Sequence, residues 1–165
     1  SMAKLGYTDI EDLGDGIKKF SLGRTYTKAE IRKLYKQVDD ILDNIRTLAK
    51  VEKLYPKIYA QLIKIMPIYY SKVKKMDSNT RDLIGTRMWE NIFRVDIIYH
   101  AIARGKVNSQ TGLKEIIKYL DMVIDTDMVA ANIGIWDPQT AVKMTKMVVE
   151  LKELVVKEIK KETRN

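Results

Sequence analysis

Apolar residues recur at steps of three and four after Thr27, and this spacing constrains the fold more than any other sequence feature. It follows Thr27-Lys28-Ala29-Glu30, a capping box in which threonine and glutamate side chains satisfy free backbone N–H groups at a helix start. One face of the resulting helix carries eight apolar side chains: Ile31, Leu34, Tyr35, Val38, Ile41, Leu42, Ile45 and Leu48. The pattern predicts a long first helix whose apolar face is buried.

A second helix is predicted from Pro56, because proline is well tolerated in the first turn of a helix. Pro67 lies within the same segment, where it removes a backbone hydrogen bond and clashes with the preceding turn. We therefore expect this helix to bend or break near Met66. Its buried stripe is predicted to contain Tyr55, Ile58, Leu62, Ile65, Tyr69 and Val73.

Capping residues divide the remaining sequence into three further helices. One is predicted from Asp77 or Ser78 to about Arg104, and the others start at Ser109 and after Asp137-Pro138. Residues 1–24 contain four glycines and little periodicity, so they are predicted to form an irregular N-terminal arm. The predicted fold is all-α, a single compact domain of about five helices over residues 25–165.

Composition limits the functional classes. The chain has no cysteine and one histidine, which excludes a disulfide framework, a thiolate metal site and a cysteine nucleophile. No run of about 18 consecutive apolar residues is present, so we expect no membrane-spanning helix. Together these features predict a cytoplasmic protein.

Catalytic patterns are weak. His100 follows Asp96 by four residues, which places them together on a helix, but no neighbouring nucleophile or third ligand accompanies them. Asp121, Asp125 and Asp127 are candidates for a cation site, but Asp121 and Asp125 are better explained as solvated neighbours on one helix. Phosphate-loop, GxSxG and HExxH motifs are absent from the sequence. We therefore expect no enzyme activity, no cofactor and no bound metal.

The positive charge is concentrated in the first two predicted helices. Residues 24–76 carry 13 basic and 5 acidic residues, a difference equal to the whole net charge of +8. Such a surface attracts polyanions, although it also serves solubility alone. Helical geometry places two sets of basic side chains away from the apolar faces: Lys28, Arg32 and Lys36 on the first helix, and Lys57, Lys64 and Lys75 on the second, with Lys72 and Lys74 nearby.

The nine tyrosines give little support for base stacking, because most fall on or beside the apolar faces. If the chain binds nucleic acid, we expect phosphate contacts with little sequence readout. The sequence leaves RNA, DNA and acidic protein open as partners of the basic surface.

Residues 26–75 resemble a known family, the small helical subunit of type III CRISPR Csm effector complexes. In that family a Thr- or Ser-led start followed by Ile-Arg opens the first long helix, and here Thr27 precedes Ile31-Arg32. A second family motif, an aliphatic run before a proline followed by tyrosine and basic residues, is similar to Leu62-Ile63-Lys64-Ile65-Met66-Pro67 and the following Tyr69 to Lys75.

The resemblance implies a non-catalytic, RNA-binding structural subunit of an antiviral ribonucleoprotein. Such a subunit contacts guide and target RNA and associates with copies of itself and with other subunits. The nucleic-acid-binding residues carried over from the family are Arg32, Lys64 and Lys75. Lys36 and Lys72 are added because they belong to, or lie near, the two sets of basic side chains on the predicted helices. A DNA-binding or architectural protein of an archaeal virus or plasmid, and a helical protein interaction module, remain as alternatives.

Overall fold

The computed structural model describes Asp9–Asp12, Lys18–Ser21 and residues 26–164. Within the predicted arm, strands β1 (Asp9–Asp12) and β2 (Lys18–Ser21) pair antiparallel, with Ile10 opposite Phe20. The other positions of the arm lie outside the described residues. The chain divides into two compact units, Ser1–Ile45 and Arg46–Asn165, and each is described by itself.

Five long helices follow the arm, as the periodicity predicts. They are α1 (Lys28–Leu54), α2 (Pro56–Lys74), α3 over residues 78–103, α4 (Ser109–Asn132) and α5 (Pro138–Arg164). Helix α3 opens with Ser78–Thr80, passes through a π-helical segment at Arg81–Gly85 and continues as Thr86–Ala103. The all-α prediction is confirmed for the described residues that follow the arm.

Side-chain caps define the helix starts. The backbone N–H of Glu30 donates to Oγ1 of Thr27 over 3.2 Å, which confirms the threonine half of the capping box, and the Thr27 hydroxyl lies 3.2 Å from Oε1 of Glu30. Asp77 accepts from the backbone of Thr80 at the start of α3, and Asp137 accepts from the backbone of Thr140 at the start of α5. These local contacts explain why the predicted helix starts agree with the structure.

Helices α2 to α5 enclose the core of the Arg46–Asn165 unit. Helix α2 packs against α3 and α5, while α4 packs between α3 and α5, so the four helices form a closed ring. The largest side chains with almost no solvent contact include Tyr69, Tyr99, Leu62, Met88, Leu113 and Met144. Burial of these apolar surfaces supplies the main stabilisation of the ring.

The junction of α1 and α2 is fixed by the buried Tyr99 of α3. Its hydroxyl donates to the carbonyl of Val51 over 2.7 Å and accepts from the backbone N–H of Tyr55 over 3.2 Å. One hydroxyl therefore satisfies a carbonyl at the end of α1 and an amide immediately before α2. This contact sets where α2 begins.

Helix α2 runs without interruption through Pro67 to Lys74. Of the predicted bend or break near Met66, the break is therefore wrong, and the bend stays a prediction. The helix continues because Leu62, Ile65, Tyr69 and Val73 bury its inner face on both sides of the proline. Burial of this face offsets the loss of one backbone hydrogen bond. Ile68 is partly buried against the core.

The predicted burial of the α1 apolar face is also wrong. Seven of its eight side chains are exposed, namely Ile31, Tyr35, Val38, Ile41, Leu42, Ile45 and Leu48. The sole buried residue of α1 is Val51, which lies close to the junction with α2. Periodicity identifies the apolar face of a helix but not whether the same chain covers it.

Among the described residues, each helix lacks an apolar segment long enough to span a bilayer.

Candidate anion-binding surface

The outer face of α2 carries positive charge with no acidic side chain on the same helix. Lys57, Lys64 and Lys75 are all exposed, and residues 56–75 contain no aspartate or glutamate. These three lysines share one side of the helix, because their spacings of seven and eleven residues are close to whole turns. At about 1.5 Å per residue, they extend over about 27 Å of helix axis.

The start of α2 and the last turns of α5 form a pocket of about 390 Å³. Its walls carry three lysines, Lys57 from α2 and both Lys157 and Lys161 from α5. Ile58 and Leu154 supply apolar wall, and Glu158 supplies the one carboxylate. With three positive charges and one negative charge, the lining has a net charge of +2 and favours an anion.

Hydrogen bonds hold the two helix ends beside each other. The hydroxyl of Tyr55 donates to Oε1 of Glu162, and the hydroxyl of Ser109 donates to Oε2 of Glu162 over 2.9 Å. Burial raises the pKa of the Tyr55 hydroxyl, and its bond to Glu162 raises that pKa further. Glu162 therefore accepts from the hydroxyl groups at two helix starts, which ties the last turns of α5 to the starts of α2 and α4.

The pocket lysines have no ion-pair partner in the described part of the chain. The close contacts between basic and acidic side chains there include His100 with Asp96 over 3.4 Å and Lys152 with Asp121 over 2.7 Å. No carboxylate oxygen among the described residues comes within 4.0 Å of Lys57, Lys157 or Lys161. Their charges remain available to a ligand.

The predicted binding residues are all exposed and are divided between two helices. Arg32 and Lys36 lie on α1 within the Ser1–Ile45 unit, whereas Lys64, Lys72 and Lys75 lie on or directly after α2. Hydrogen bonds from Thr140 hold the pKa of the Asp137 carboxyl below its usual range, and the nearby charge of Lys72 adds to this shift. Lys72 thus faces a carboxylate of its own chain.

Exposed aromatic surface on α2 is confined to its C-terminal half. The ring of Tyr70 is about half exposed, lies edge-on to Trp89 at 5.5 Å and has the ammonium of Lys74 at 5.9 Å from its centre. Tyr55, Tyr69 and Tyr99 are buried, as expected for core tyrosines. Intramolecular contacts therefore already engage part of the Tyr70 ring.

The residues considered for catalysis have structural partners. His100 Nε2 lies 3.4 Å from Asp96 Oδ1, and burial raises the pKa of Asp96 against the opposing effect of His100. Asp121 pairs with Lys152, and Asp127 is fully buried. Within the described residues, no group of three or more potential metal ligands is present.

The sequence interpretation missed Lys157 and Lys161. Both lie in the C-terminal part of α5, where basic and acidic residues are mixed and the excess of positive charge is smaller than that of residues 24–76. Their role in the pocket depends on the position of α2, which is distant in sequence. The basic residues of α2 were the sequence feature that indicated this surface.

Comparisons of the chain with protein-family models, curated proteins and solved structures gave no match.

Proposed function

We propose that this chain is a non-catalytic subunit that binds the RNA backbone through Lys57, Lys157, Lys161 and the adjacent basic face of α2. The observation that supports the proposal is the pocket whose lining carries three lysines from two helices and one carboxylate. A phosphate is small, anionic and present at every nucleotide, so it suits such a pocket.

Lysine chemistry favours backbone contact over base recognition. An ammonium acts as a compact point charge, whereas base readout commonly uses arginine, asparagine or glutamine in bidentate contacts. The pocket lining contains none of those three residue types. Lys64 and Lys75 continue the positive surface along α2 beyond the pocket. We infer electrostatic binding with little sequence preference.

The finer form of the proposal is a structural subunit of a type III CRISPR Csm ribonucleoprotein that contacts guide and target RNA. It rests on the resemblance of residues 26–75 to the small helical subunit of those complexes. In that setting Arg32, Lys36, Lys64, Lys72 and Lys75 are additional backbone contacts.

A salt series tests the proposal. Binding of labelled single-stranded RNA and duplex DNA is measured for the wild type and for the triple variant Lys57→Ala, Lys157→Ala and Lys161→Ala. Each phosphate contact on a single strand contributes about 0.7 to the slope of log affinity against log salt. Removing three contacts therefore lowers the magnitude of the slope by about 2. A second triple variant, Arg32→Ala, Lys64→Ala and Lys75→Ala, tests the residues predicted from sequence.

The matched control removes the same charge elsewhere. Arg87→Ala, Lys114→Ala and Lys143→Ala change three exposed cations that lie outside the pocket and outside α2. We expect this control to keep a slope close to that of the wild type. Equal slopes for the pocket and control variants contradict the site, and tighter binding to duplex DNA favours the DNA-binding alternative. Absence of binding to both polymers contradicts the function.

A further inference from the structure

The exposed apolar face of α1 has the spacing of a coiled-coil seam. In a heptad abcdefg that starts at Ile31, the a positions are Ile31, Val38 and Ile45, and the d positions are Leu34, Ile41 and Leu48. Tyr35 and Leu42 occupy e positions beside the seam. Seven of these eight side chains are between 40% and 68% exposed. These a, d and e positions of α1 therefore form an apolar stripe that faces solvent.

Charge on α1 is separated from this stripe. From residue 31 to residue 51, every charged side chain falls at a b, c or f position, namely Arg32, Lys33, Lys36, Asp39, Asp40, Asp43, Arg46 and Lys50. The g positions hold the uncharged Gln37, Asn44 and Val51. A solubilising surface helix does not require this separation, whereas a helix that packs against another along its length does.

We propose that α1 pairs with α1 of a second copy of this chain in an antiparallel dimer. A repeat of apolar a and d residues lets two helices pack along their length with the side chains of one helix inserted between those of the other. An exposed apolar seam of three heptads on a helix of 27 residues provides the length for such pairing. The proposal is independent of RNA binding.

Complementarity at the flanks selects the antiparallel orientation. In this orientation e positions face e positions, so Tyr35 packs against Leu42 of the second copy and both flanking residues are apolar. The g positions also face each other, which places Gln37 opposite Asn44 of the second copy as a pair of amides. A parallel dimer instead sets e against g, and Leu42 then faces the amide of Gln37.

The exposed area is sufficient for a stable pair. With about 200 Å² for each large side chain, the exposed fractions of the seven residues amount to roughly 700 Å² per helix. A standard interface buries about 800 Å² per partner. The stripe is therefore of the size expected for a specific interface.

Sedimentation equilibrium of the full chain gives the first test. The chain mass is 19.1 kDa, so the wild type is expected to sediment at twice this mass. Val38→Asp with Ile41→Asp should weaken dimerisation at least tenfold, because it places charge in two layers of the seam. The matched control, Leu83→Asp with Val142→Asp, changes two side chains that are 74% and 67% exposed outside α1 and should leave dimerisation unchanged.

Cysteine cross-linking tests the orientation, because the natural sequence contains no cysteine. Tyr35→Cys and Leu42→Cys chains are mixed and oxidised. The antiparallel dimer predicts disulfide-linked dimers in the mixture and little linkage of either variant alone. Efficient linkage of a Val38→Cys variant to itself, with none in the mixture, overturns the orientation. A wild type that remains monomeric at high concentration, or a seam variant that dimerises like the control, overturns the dimer.

Discussion

The hydroxyl of Tyr69 on α2 donates to Oδ2 of Asp127 on α4, inside the core of the Arg46–Asn165 unit. Both side chains are fully buried. Thr145 contributes a longer hydrogen bond of 3.5 Å to the same oxygen, and Oδ1 of Asp127 has no hydrogen-bond partner among the described residues. Burial raises the pKa of Asp127 to about 7, although the two hydroxyl groups oppose this shift.

This pKa predicts that the free energy of unfolding falls as the pH rises from about 4 to about 7. Over this window the unfolded chain releases the Asp127 proton while the folded chain retains it. The folded state therefore binds more protons, and raising the pH favours unfolding. The contribution is on the order of 4 kcal/mol across the window and is constant above it. Urea unfolding at several pH values measures it.

Asp127→Asn is the control for the pH prediction, because asparagine has a similar shape and does not titrate. The unfolding free energy of the wild type minus that of Asp127→Asn should fall as the pH rises to about 7 and then level off. Other titrating groups contribute equally to both proteins and cancel in this difference. A difference that does not vary with pH shows that Asp127 keeps an ordinary pKa in the fold.

Removing the Tyr69 hydroxyl separates hydrogen bonding from packing. Tyr69→Phe leaves the ring in place but deprives the buried carboxyl of Asp127 of its main donor. We expect a loss of about 1–3 kcal/mol in unfolding free energy and a further rise in the pKa of Asp127. In the Asp127→Asn background the loss should be smaller, since no buried carboxylate then needs the donor. Equal losses in both backgrounds contradict the coupling.

Sequence predicted the helices of this protein well because their determinants are local. The capping contacts of Glu30 with Thr27 and of Thr140 with Asp137 join residues three apart, so the sequence contains both partners in one short motif. Gly105 and Gly134 adopt positive φ angles at the ends of α3 and α4, where glycine has little steric cost. Such local signals depend neither on the tertiary packing of the helices nor on a binding partner.

The surface and the core pairings were much less predictable. Lys157 reaches the pocket beside Lys57 through tertiary packing, and Asp127 is buried because Tyr69 of another helix meets it. The exposed stripe of α1 has the same periodicity as the buried stripe of α2. A single sequence therefore identifies an apolar face, but coordinates are needed to show which apolar face the chain leaves uncovered.

Gly112 permits the close approach of α3 and α4. A Cβ atom at this position would lie 2.6 Å from both Cγ1 and Cδ1 of Ile102. Gly112→Ala should therefore lower the unfolding free energy by about 1–3 kcal/mol, although alanine is normally the better helix former by about 1 kcal/mol. Urea unfolding checks the sign, and Ile102→Val in the same background should recover part of the loss. A stabilised Gly112→Ala variant contradicts the tight contact.

Tyr99→Phe tests the junction of α1 and α2. The substitution keeps the buried ring but leaves the carbonyl of Val51 and the amide of Tyr55 without their shared partner. We expect a loss of about 1–3 kcal/mol in unfolding free energy, with faster amide exchange at Tyr55 than in the wild type. Tyr119→Phe is a suitable control because this tyrosine is only partly buried. Similar losses in both variants contradict a specific role of the Tyr99 hydroxyl.

Two leucines provide a matched test of how differently α1 and α2 contribute to folding. Leu62 on α2 is 1% exposed, whereas Leu42 on α1 is 45% exposed. Leu62→Ala should cost about 2–5 kcal/mol in unfolding free energy because it opens a cavity in the core. Leu42→Ala should cost about 0.5 kcal/mol or less when unfolding is measured at concentrations that keep the protein monomeric. At higher concentration Leu42→Ala should weaken self-association, whereas Leu62→Ala should destabilise the fold at every concentration.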